Sequence, residues 1–307
     1  MKRRRAHLWY WSNALAGVLA FASCVRLPVL NPECRQAPLS IEAARAGQVN
    51  RLPADVAAAV RLERDWLFML AAMSYVYRGL NDPAGYDIAA VIAWNVEDPD
   101  QTPEFVIDRN RNFEKQGDIY HAEINTLRAA YDKGRHAPLP PTATRDDRLN
   151  AFADALKGAT LYTTLEPCPM CATTITMSKI PYAVYCMEDP GLRDPKTHET
   201  NIPVPTRFYG RHLSQQRSVV RACLEANEAM WKAVEANPPA PGDPDSAKNS
   251  FSITSYLTAN AQNIFKPARD ELACFKAQHE QNEKLVAALR EATGVTKCPK
   301  TPGSNGR

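Results

Sequence analysis

The spacing of hydrophobic and polar residues changes several times along the chain, and each change predicts a different element. Residues 54–78 are rich in Ala, Leu, Met and aromatic residues and contain no Gly or Pro, which predicts a helix with Pro53 in its first turn. The apolar run 87–96 ends in an acidic, proline-containing stretch, and a second short apolar run covers 104–108. These two runs predict strands joined by a turn-rich connection.

Helical and strand patterns alternate through the middle of the chain. Apolar residues at three- and four-residue spacing indicate a helix over 121–131, and a proline- and threonine-rich break follows it. The further predicted elements are a helix at 147–156, a strand at 160–165, a helix at 168–178 and a strand at 181–186. This order predicts an α/β fold whose sheet contains a parallel pair across the last strand–helix–strand unit.

The last third of the chain has the pattern of a helical extension. A loop rich in Pro, Asp and Thr leads to a predicted helix over 212–236, and a proline-rich linker follows it. Two more helices are predicted at 252–264 and 267–293, with Gly294 as the stop signal of the second.

The first residues have the layout of a secretory signal peptide. Four basic residues precede a mostly apolar run from Leu8 to Ala22, which ends in a small-x-small triplet, so cleavage is expected near Ser23. The chain is therefore expected to be exported to the periplasm or the extracellular space. An uncleaved membrane anchor is the alternative, although the run is shorter than the ~20 apolar residues that a span requires. A second alternative is a lipoprotein signal with lipid on Cys24.

The charge of the chain limits the kinds of binding partner that are expected, and its cysteine content indicates where disulfides could form. The leader holds four of the 37 basic residues and none of the 34 acidic ones, so the mature chain has 33 basic and 34 acidic residues. Such a balance does not predict a broad phosphate-binding surface. Export permits disulfides, and Cys34 and Cys298 stand near the two ends, where a bridge could hold one or both tails. Cys186 and Cys223 are equally compatible with buried free thiols, and the pairing is left open.

A metal site is indicated by two short motifs, HAE at 121–123 and PCPMC at 167–171. Thiols at i and i+3 lie on one helix face, and a helix N-terminus lowers their pKa, so Cys168 and Cys171 are suited to bind Zn²⁺. His121 can supply a third ligand. Three protein ligands leave one position for water, which is typical of catalytic zinc, and Glu123 can move protons beside that water.

Other interpretations of the same residues stay open. The two cysteines alone would suit a redox dithiol or a disulfide. A closed structural zinc site would need a fourth ligand, for which His136, Cys186 and His198 are candidates. Glu166 is interpreted as structural, orienting its loop through backbone hydrogen bonds.

The two motifs, in this order, resemble those of the zinc-dependent nucleobase, nucleoside and nucleotide deaminases, whose signature is H-x-E followed by P-C-x-x-C. LYTTLEPCPMC is most similar to the branch that contains guanine deaminase and tRNA adenosine deaminase. The resemblance implies a three-layer α/β/α cytidine deaminase-like fold with a mixed sheet, here carrying helical N- and C-terminal extensions. It also implies one zinc ion per chain and a homodimer.

Site roles follow from the resemblance by position. His121, Cys168 and Cys171 would be the zinc ligands and Glu123 the proton shuttle. Three residues would contact substrate: Asn110, or Asn112 in its place, together with the backbone at Ala122 and Pro167. The chain departs from the family's Asp-Pro-Thr-Ala before HAE, since it has GDIY, and Tyr120 is expected to reshape the pocket mouth.

The predicted function is hydrolytic deamination of a free nucleobase or nucleoside, with guanine, adenine and cytosine types all open. A polynucleotide deaminase that acts on tRNA, DNA or RNA as an exported effector is the first alternative. A zinc-stabilised interaction protein without activity is the second. The predicted organisation is a signal peptide at 1–22, a lead-in at 23–53, a deaminase domain at 54–206, a helical extension at 207–300 and a flexible tail at 301–307.

Overall fold

The alternating central segment forms a mixed sheet of five strands. The computed structural model describes residues 53–80, 82–133, 140–194, 196–199, 207–208, 211–237 and 251–299. The strands of the sheet are β1 (Ala89–Trp94), β2 (Glu104–Arg109), β3 (Thr160–Leu165), β4 (Tyr182–Met187) and β7 (Ser214–Arg217), and their spatial order is β2-β1-β3-β4-β7. A separate two-stranded ribbon pairs β5 (Arg207–Phe208) with β6 (Arg211–His212).

The strand pairing confirms the predicted parallel unit. β1 pairs antiparallel with both β2 and β3, whereas β3 pairs parallel with β4, and β4 parallel with β7. All residues of β1 and β3 are buried, because helices cover both faces of the sheet. This is why both strands appear in the sequence as runs of small, apolar and threonine residues without polar alternation.

Seven α-helices lie among the described residues: α1 (Pro53–Arg78), α2 (Ala122–Asp132), α3 (Arg145–Ala155), α4 (Pro169–Met177), α5 (Arg221–Ala236), α6 (Ile253–Cys274) and α7 (Glu283–Thr293). Six of these helices pack into two separate hydrophobic cores, one on each face of the sheet. Side chains of α1, α5, α6 and α7 pack with Val91 and Val184 of the sheet, whereas those of α2 and α4 pack with Ile92 and Leu161. Neighbouring strand residues point to opposite faces, so the fold is the predicted α/β/α sandwich, extended by the C-terminal helices.

The prediction of one helix over 212–236 was wrong at its start. Ser214–Arg217 is an edge strand of the main sheet, and α5 begins only at Arg221. Gln and Arg are good helix formers, but pairing with β4 overrides their local preference. A polar sequence is accepted there because an edge strand is partly exposed to solvent.

The first of the two predicted C-terminal helices ends later than predicted, and the second starts later. α6 continues through Pro267 to Cys274, and α7 begins only at Glu283. Proline removes one backbone hydrogen bond of a helix, but Phe265, Ala268 and Leu272 continue the buried face across it. Gly294 ends α7 with φ at 68°, as predicted.

Disulfides join Cys186 to Cys223 and Cys274 to Cys298. The first connects β4 with α5. The second holds the segment after α7 against the end of α6, so Cys298 does secure the C-terminal region. Cys24, Cys34 and the predicted signal peptide lie outside the described residues, and the domain boundaries stay predictions. None of the described helices has the length and hydrophobicity of a membrane span.

Candidate metal and catalytic site

The start of α2 and the start of α4 carry the two motifs. His121 is the residue directly before α2, and Cys168 is the residue directly before α4; both have extended backbone angles. Pro169 occupies the first turn of α4, where its fixed φ suits a helix start and its missing N–H costs nothing. Both helices pack on the same face of the sheet, which brings the two motifs together although 47 residues separate them.

The ligand atoms lie at the separations that a shared zinc ion requires. His121 Nδ1 is 3.6 Å from Cys168 Sγ and 3.5 Å from Cys171 Sγ, and all three atoms lie within 4.8 Å of one another. A tetrahedral site with Zn–N of about 2.1 Å and Zn–S of about 2.3 Å places its N and S atoms about 3.6 Å apart. One imidazole and two thiols are also the donor types that zinc prefers. The residues therefore fit zinc as the cofactor.

The proposed fourth ligands are not part of this group. Across the described ranges, the cluster contains His121, Cys168 and Cys171 alone. Cys186 is bonded to Cys223, and the ring of His198 stacks on Trp231 at 3.9 Å. His136 lies outside the described residues. The two motif cysteines are unbridged, so the disulfide interpretation of PCPMC is not what the structure shows.

The pKa values of the two thiols shift in opposite directions. A hydrogen bond from Cys171 lowers the pKa of Cys168 to about 4, whereas donation of that bond, together with burial, raises the pKa of Cys171. The hydrogen bond with Cys168 also raises the pKa of His121. A divalent cation would displace these protons, because only thiolates and neutral imidazole act as ligands.

Glu123 lies in the first turn of α2, two residues after His121, and only 4 % of it is exposed. Burial raises the pKa of its carboxyl to about 7, and its side chain interacts with Cys171 and His121. A carboxyl with a pKa near neutrality can both accept and donate a proton at physiological pH. This arrangement suits the predicted proton transfer, and the role itself stays a prediction.

The predicted substrate contacts are all buried. Asn110 Oδ1 accepts hydrogen bonds from the backbone N–H of Tyr86 at 3.3 Å and of Asn112 at 3.0 Å, so its acceptor holds the local turn. Asn112 Oδ1, in contrast, is buried without a partner among the described residues. In the chain, Ala122 adjoins His121 and Pro167 adjoins Cys168. None of these contacts with substrate is tested by the geometry.

Three supporting contacts have no signal in the motifs. Asn125 of α2 donates hydrogen bonds to the backbone oxygens of Arg109 and Tyr120, which fixes the start of α2 against β2. The guanidinium of Arg128 lies over the Tyr120 ring at 5.7 Å. Glu166 accepts the backbone N–H of Asp189, as its predicted structural role requires, and it also binds an arginine from a distant loop. A polar residue in a predicted helix does not reveal its partner, so sequence reasoning missed the contacts of Asn125 and Arg128. It predicted that Glu166 orients its loop, but it did not predict the arginine that Glu166 binds.

The part of the chain that contains the two motifs is similar to known proteins. Residues 64–187 match the sequence profile of the cytidine and deoxycytidylate deaminase zinc-binding region. A tRNA-specific adenosine deaminase from Bacillus subtilis (strain 168) is 54% identical over 35 residues, which are 11% of this chain and 22% of that protein. The chain thus spans less than a quarter of the length of this relative.

Solved structures of similar proteins were also found. One comes from a study of A-to-I editing by tRNA:A34 deaminases, with 24% identity, a TM-score of 0.33 and coverage of 49% of this chain and 96% of that one. Another is a guanine deaminase from Nitrosomonas europaea, with 21% identity, a TM-score of 0.35 and coverage of 53% and 84%. At these TM-scores, neither likeness bears on what the chain does.

Proposed function

We propose that this chain, whose residues 64–187 are a zinc-binding region of the cytidine and deoxycytidylate deaminase family, hydrolytically deaminates a free nucleobase or nucleoside. The observation that carries the proposal is the convergence of three zinc-ligand side chains beside a buried carboxyl. A structural zinc site has no need of such a carboxyl, whereas a hydrolytic one needs a group that moves protons.

Bound zinc and the Glu123 carboxyl have different parts in the proposed reaction. Bound zinc supplies a Lewis acid that lowers the pKa of a water molecule towards 7. Glu123 takes the proton that this water loses and donates it to the ring nitrogen next to the attacked carbon. The same carboxyl then takes the remaining proton of that water from the hydroxyl group on the attacked carbon and donates it to the amino group, which leaves as ammonia. One water is consumed, the exocyclic C–N bond breaks and a carbonyl forms, so atoms and charge balance.

Charge supports a small substrate over a polymer. A mature chain with 33 basic and 34 acidic residues has no excess of cations to neutralise a phosphate backbone. Guanine, adenine and cytosine each carry an amino group on a ring carbon, so the family chemistry accommodates all three. The homodimer expected from the resemblance stays a prediction.

The experiment compares the wild-type chain with Glu123→Gln and with the surface control Glu291→Gln. Ammonia release is measured with a panel of free bases and nucleosides, and in parallel with tRNA and single-stranded DNA and RNA. The wild type and the control should act on at least one base or nucleoside. Glu123→Gln should keep its zinc and lose about 100- to 10,000-fold in rate.

Three results would contradict the proposal. Equal rates for the wild type and Glu123→Gln would remove Glu123 from the mechanism. Activity on polymers alone would establish the polynucleotide deaminase instead. Zinc binding without any turnover would favour the zinc-stabilised interaction protein without activity.

We also propose that the protein is exported. The two disulfides support this, because such bonds persist in oxidising compartments. The full chain, expressed in a bacterium with its own N-terminus, should be recovered outside the cytoplasm with a mature N-terminus near Ser23. Recovery in the cytoplasm with Met1 intact would contradict export, and lipid on Cys24 would establish the lipoprotein alternative.

A further inference from the structure

Glu166 stands two residues before the ligand Cys168 and is held by a partly buried arginine. Arg193 donates to both carboxylate oxygens of Glu166, from Nε at 2.8 Å and from a terminal nitrogen at 2.7 Å. Side-chain exposure is 13% for Arg193 and 6% for Glu166. The backbone N–H of Glu166 also donates to the carbonyl of Met187 at 2.8 Å. The segment that leads into the first thiol is therefore fixed at both its backbone and its side chain.

Arg193 is itself fixed by its own loop. A terminal nitrogen donates to the backbone carbonyl of His198 at 2.8 Å, and another donates to the hydroxyl of Tyr185 at 3.2 Å. The carboxylate of Glu188 lies 3.6 Å from the guanidinium. Few rotamers of Arg193 can satisfy all these partners at once, so Glu166 is bound by a donor that is already in place.

Helix α5 contacts Glu188 and His198, two of the residues that surround Arg193. Trp231 donates its indole N–H to Glu188 at 2.7 Å, and its ring stacks on His198. Asn227 accepts the backbone N–H of Glu188 at 2.8 Å. The disulfide between Cys186 and Cys223 joins the same strand to the same helix. A continuous chain of contacts thus runs from α5 through Glu188 and Arg193 to Glu166, which lies two residues before Cys168 in the chain.

The chemistry of these groups suits positioning. An arginine fork that binds a carboxylate through two parallel hydrogen bonds fixes both distance and angle, which a lysine ammonium cannot do. Metal affinity depends on such orientation, because each ligand must lie close to its ideal place before the ion arrives. Around this turn, the two carboxylates Glu166 and Glu188 face the two cations Arg193 and Arg217.

We propose that Arg193 is a positioning residue for the zinc ligand Cys168, and that α5 is part of the support of the metal site. The inference rests on the zinc site of the proposed function, and it is independent of which base is deaminated. The matched region 64–187 contains neither Arg193 nor α5. The C-terminal extension, through α5, therefore has a role in building a metal site whose ligands lie inside that region.

The test measures zinc affinity of the full-length protein by competition with a chromophoric chelator. The variants are Arg193→Met, which removes the charge, and Arg193→Lys, which keeps the charge but loses the fork. Arg290→Met is the matched control, because Arg290 is also a partly buried arginine. It belongs to α7 and donates to the backbone oxygens of Leu272 and Phe275 at the end of α6. Both Arg193 variants should bind zinc about 10- to 100-fold more weakly, and the control should bind it as the wild type does.

A spectroscopic measurement separates positioning from general stability. Cobalt(II) in place of zinc gives thiolate charge-transfer and ligand-field bands that report tetrahedral geometry. Arg193→Lys should shift or weaken these bands, and Arg290→Met should leave them unchanged. If Arg193→Met does not fold, Arg193→Lys decides. Wild-type affinity and bands in Arg193→Lys, or the same loss in Arg290→Met, would overturn the proposal.

The link to α5 is tested by Trp231→Phe, which keeps a ring for His198 but removes the N–H that Glu188 accepts. Trp66→Phe is its control, because Trp66 donates its N–H to Glu271 in the same way but away from the site. Zinc affinity should fall several-fold in the first variant alone. No change in Trp231→Phe would overturn the part assigned to α5.

The outcomes are distinguishable from those of the deamination test. Weaker zinc binding in the Arg193 variants, together with no ammonia release by the wild type, would sustain the positioning role and reject the enzyme. Turnover with unchanged zinc affinity in Arg193→Lys would do the reverse.

Discussion

Replacement of Glu123 by Gln should stabilise the metal-free protein in a pH-dependent way, while abolishing its proposed activity. The carboxyl is almost completely buried, and burial raises its pKa from 4.5 to about 7. A buried carboxylate has lost most of its hydration, and the folded state therefore resists ionisation of this group.

The magnitude and the sign follow from the two pKa values. At about pH 4, the carboxyl is protonated in both the folded and the unfolded chain, so it contributes no pH-dependent term. As the pH rises from 4.5 to about 7, the unfolded chain releases this proton while the folded one retains it. The free energy of unfolding falls over this range, and the loss above about pH 7 amounts to about 3 kcal/mol. Gln cannot ionise, so the variant escapes this loss.

Urea unfolding of the metal-free proteins, under anaerobic conditions with a chelator, measures the effect. The stability of Glu123→Gln relative to the wild type should increase by about 3 kcal/mol between about pH 4 and about pH 8. The amide can also change the free energy of unfolding by an amount that does not depend on pH. Only the change of the difference with pH therefore reports ionisation of Glu123. Glu291→Gln, on the exposed face of α7, is the matched control for the change from Glu to Gln itself.

A flat difference for Glu123→Gln across this pH range would refute the reasoning. It would mean that the carboxyl is hydrated or paired in the folded protein. The proton-transfer role would then lack the raised pKa that supports it, even if the zinc ligands proved correct.

Three further predictions concern the ligands, the core and the disulfides. Cys168→Ala should weaken zinc binding by at least about 100-fold in chelator competition, and wild-type affinity would exclude the thiol as a ligand. Arg64→Met should lower the free energy of unfolding by about 3–5 kcal/mol in urea, because the fully buried guanidinium is the donor for several backbone carbonyls of the β1–β2 connection. Arg78→Met, which loses one exposed hydrogen bond, should cost no more than about 1 kcal/mol, and equal losses would contradict this account. Joint replacement of Cys186 and Cys223 by Ala should cost about 4 kcal/mol by the same measurement, since the bridge closes a 37-residue separation, and an unchanged midpoint would show that the bond does not form.

Much of the fold was predictable because its signals are local. The apolar runs of β1 and β3 and the uninterrupted α1 pattern correspond to elements within a few residues of those predicted. The start of α4 was predictable from Pro169, whose ring suits the first turn of a helix. Such signals depend on backbone preference and on burial, which neighbouring residues largely determine.

The β7 strand and the length of α6 were not predictable in this way. Gln215 and Gln216 have no strand signal of their own, and they become a strand because the edge of β4 offers hydrogen bonds. Pro267 is a helix breaker by local preference, yet the buried side chains around it keep α6 continuous. In both places a long-range contact outweighs a local preference of a fraction of a kcal/mol to a few kcal/mol per residue.

The sequence by itself identified the three side chains that could hold zinc, because the chemistry of zinc restricts ligands to a few residue types and the helix period sets their spacing. Only the tertiary structure decided what supports them. Neither the contact of Arg193 with Glu166 nor the bridge from Cys186 to Cys223 leaves a periodic signal in the chain. Such partners are selected by the folding of distant segments onto one another, and their identity appears only when the sheet and α5 are in place.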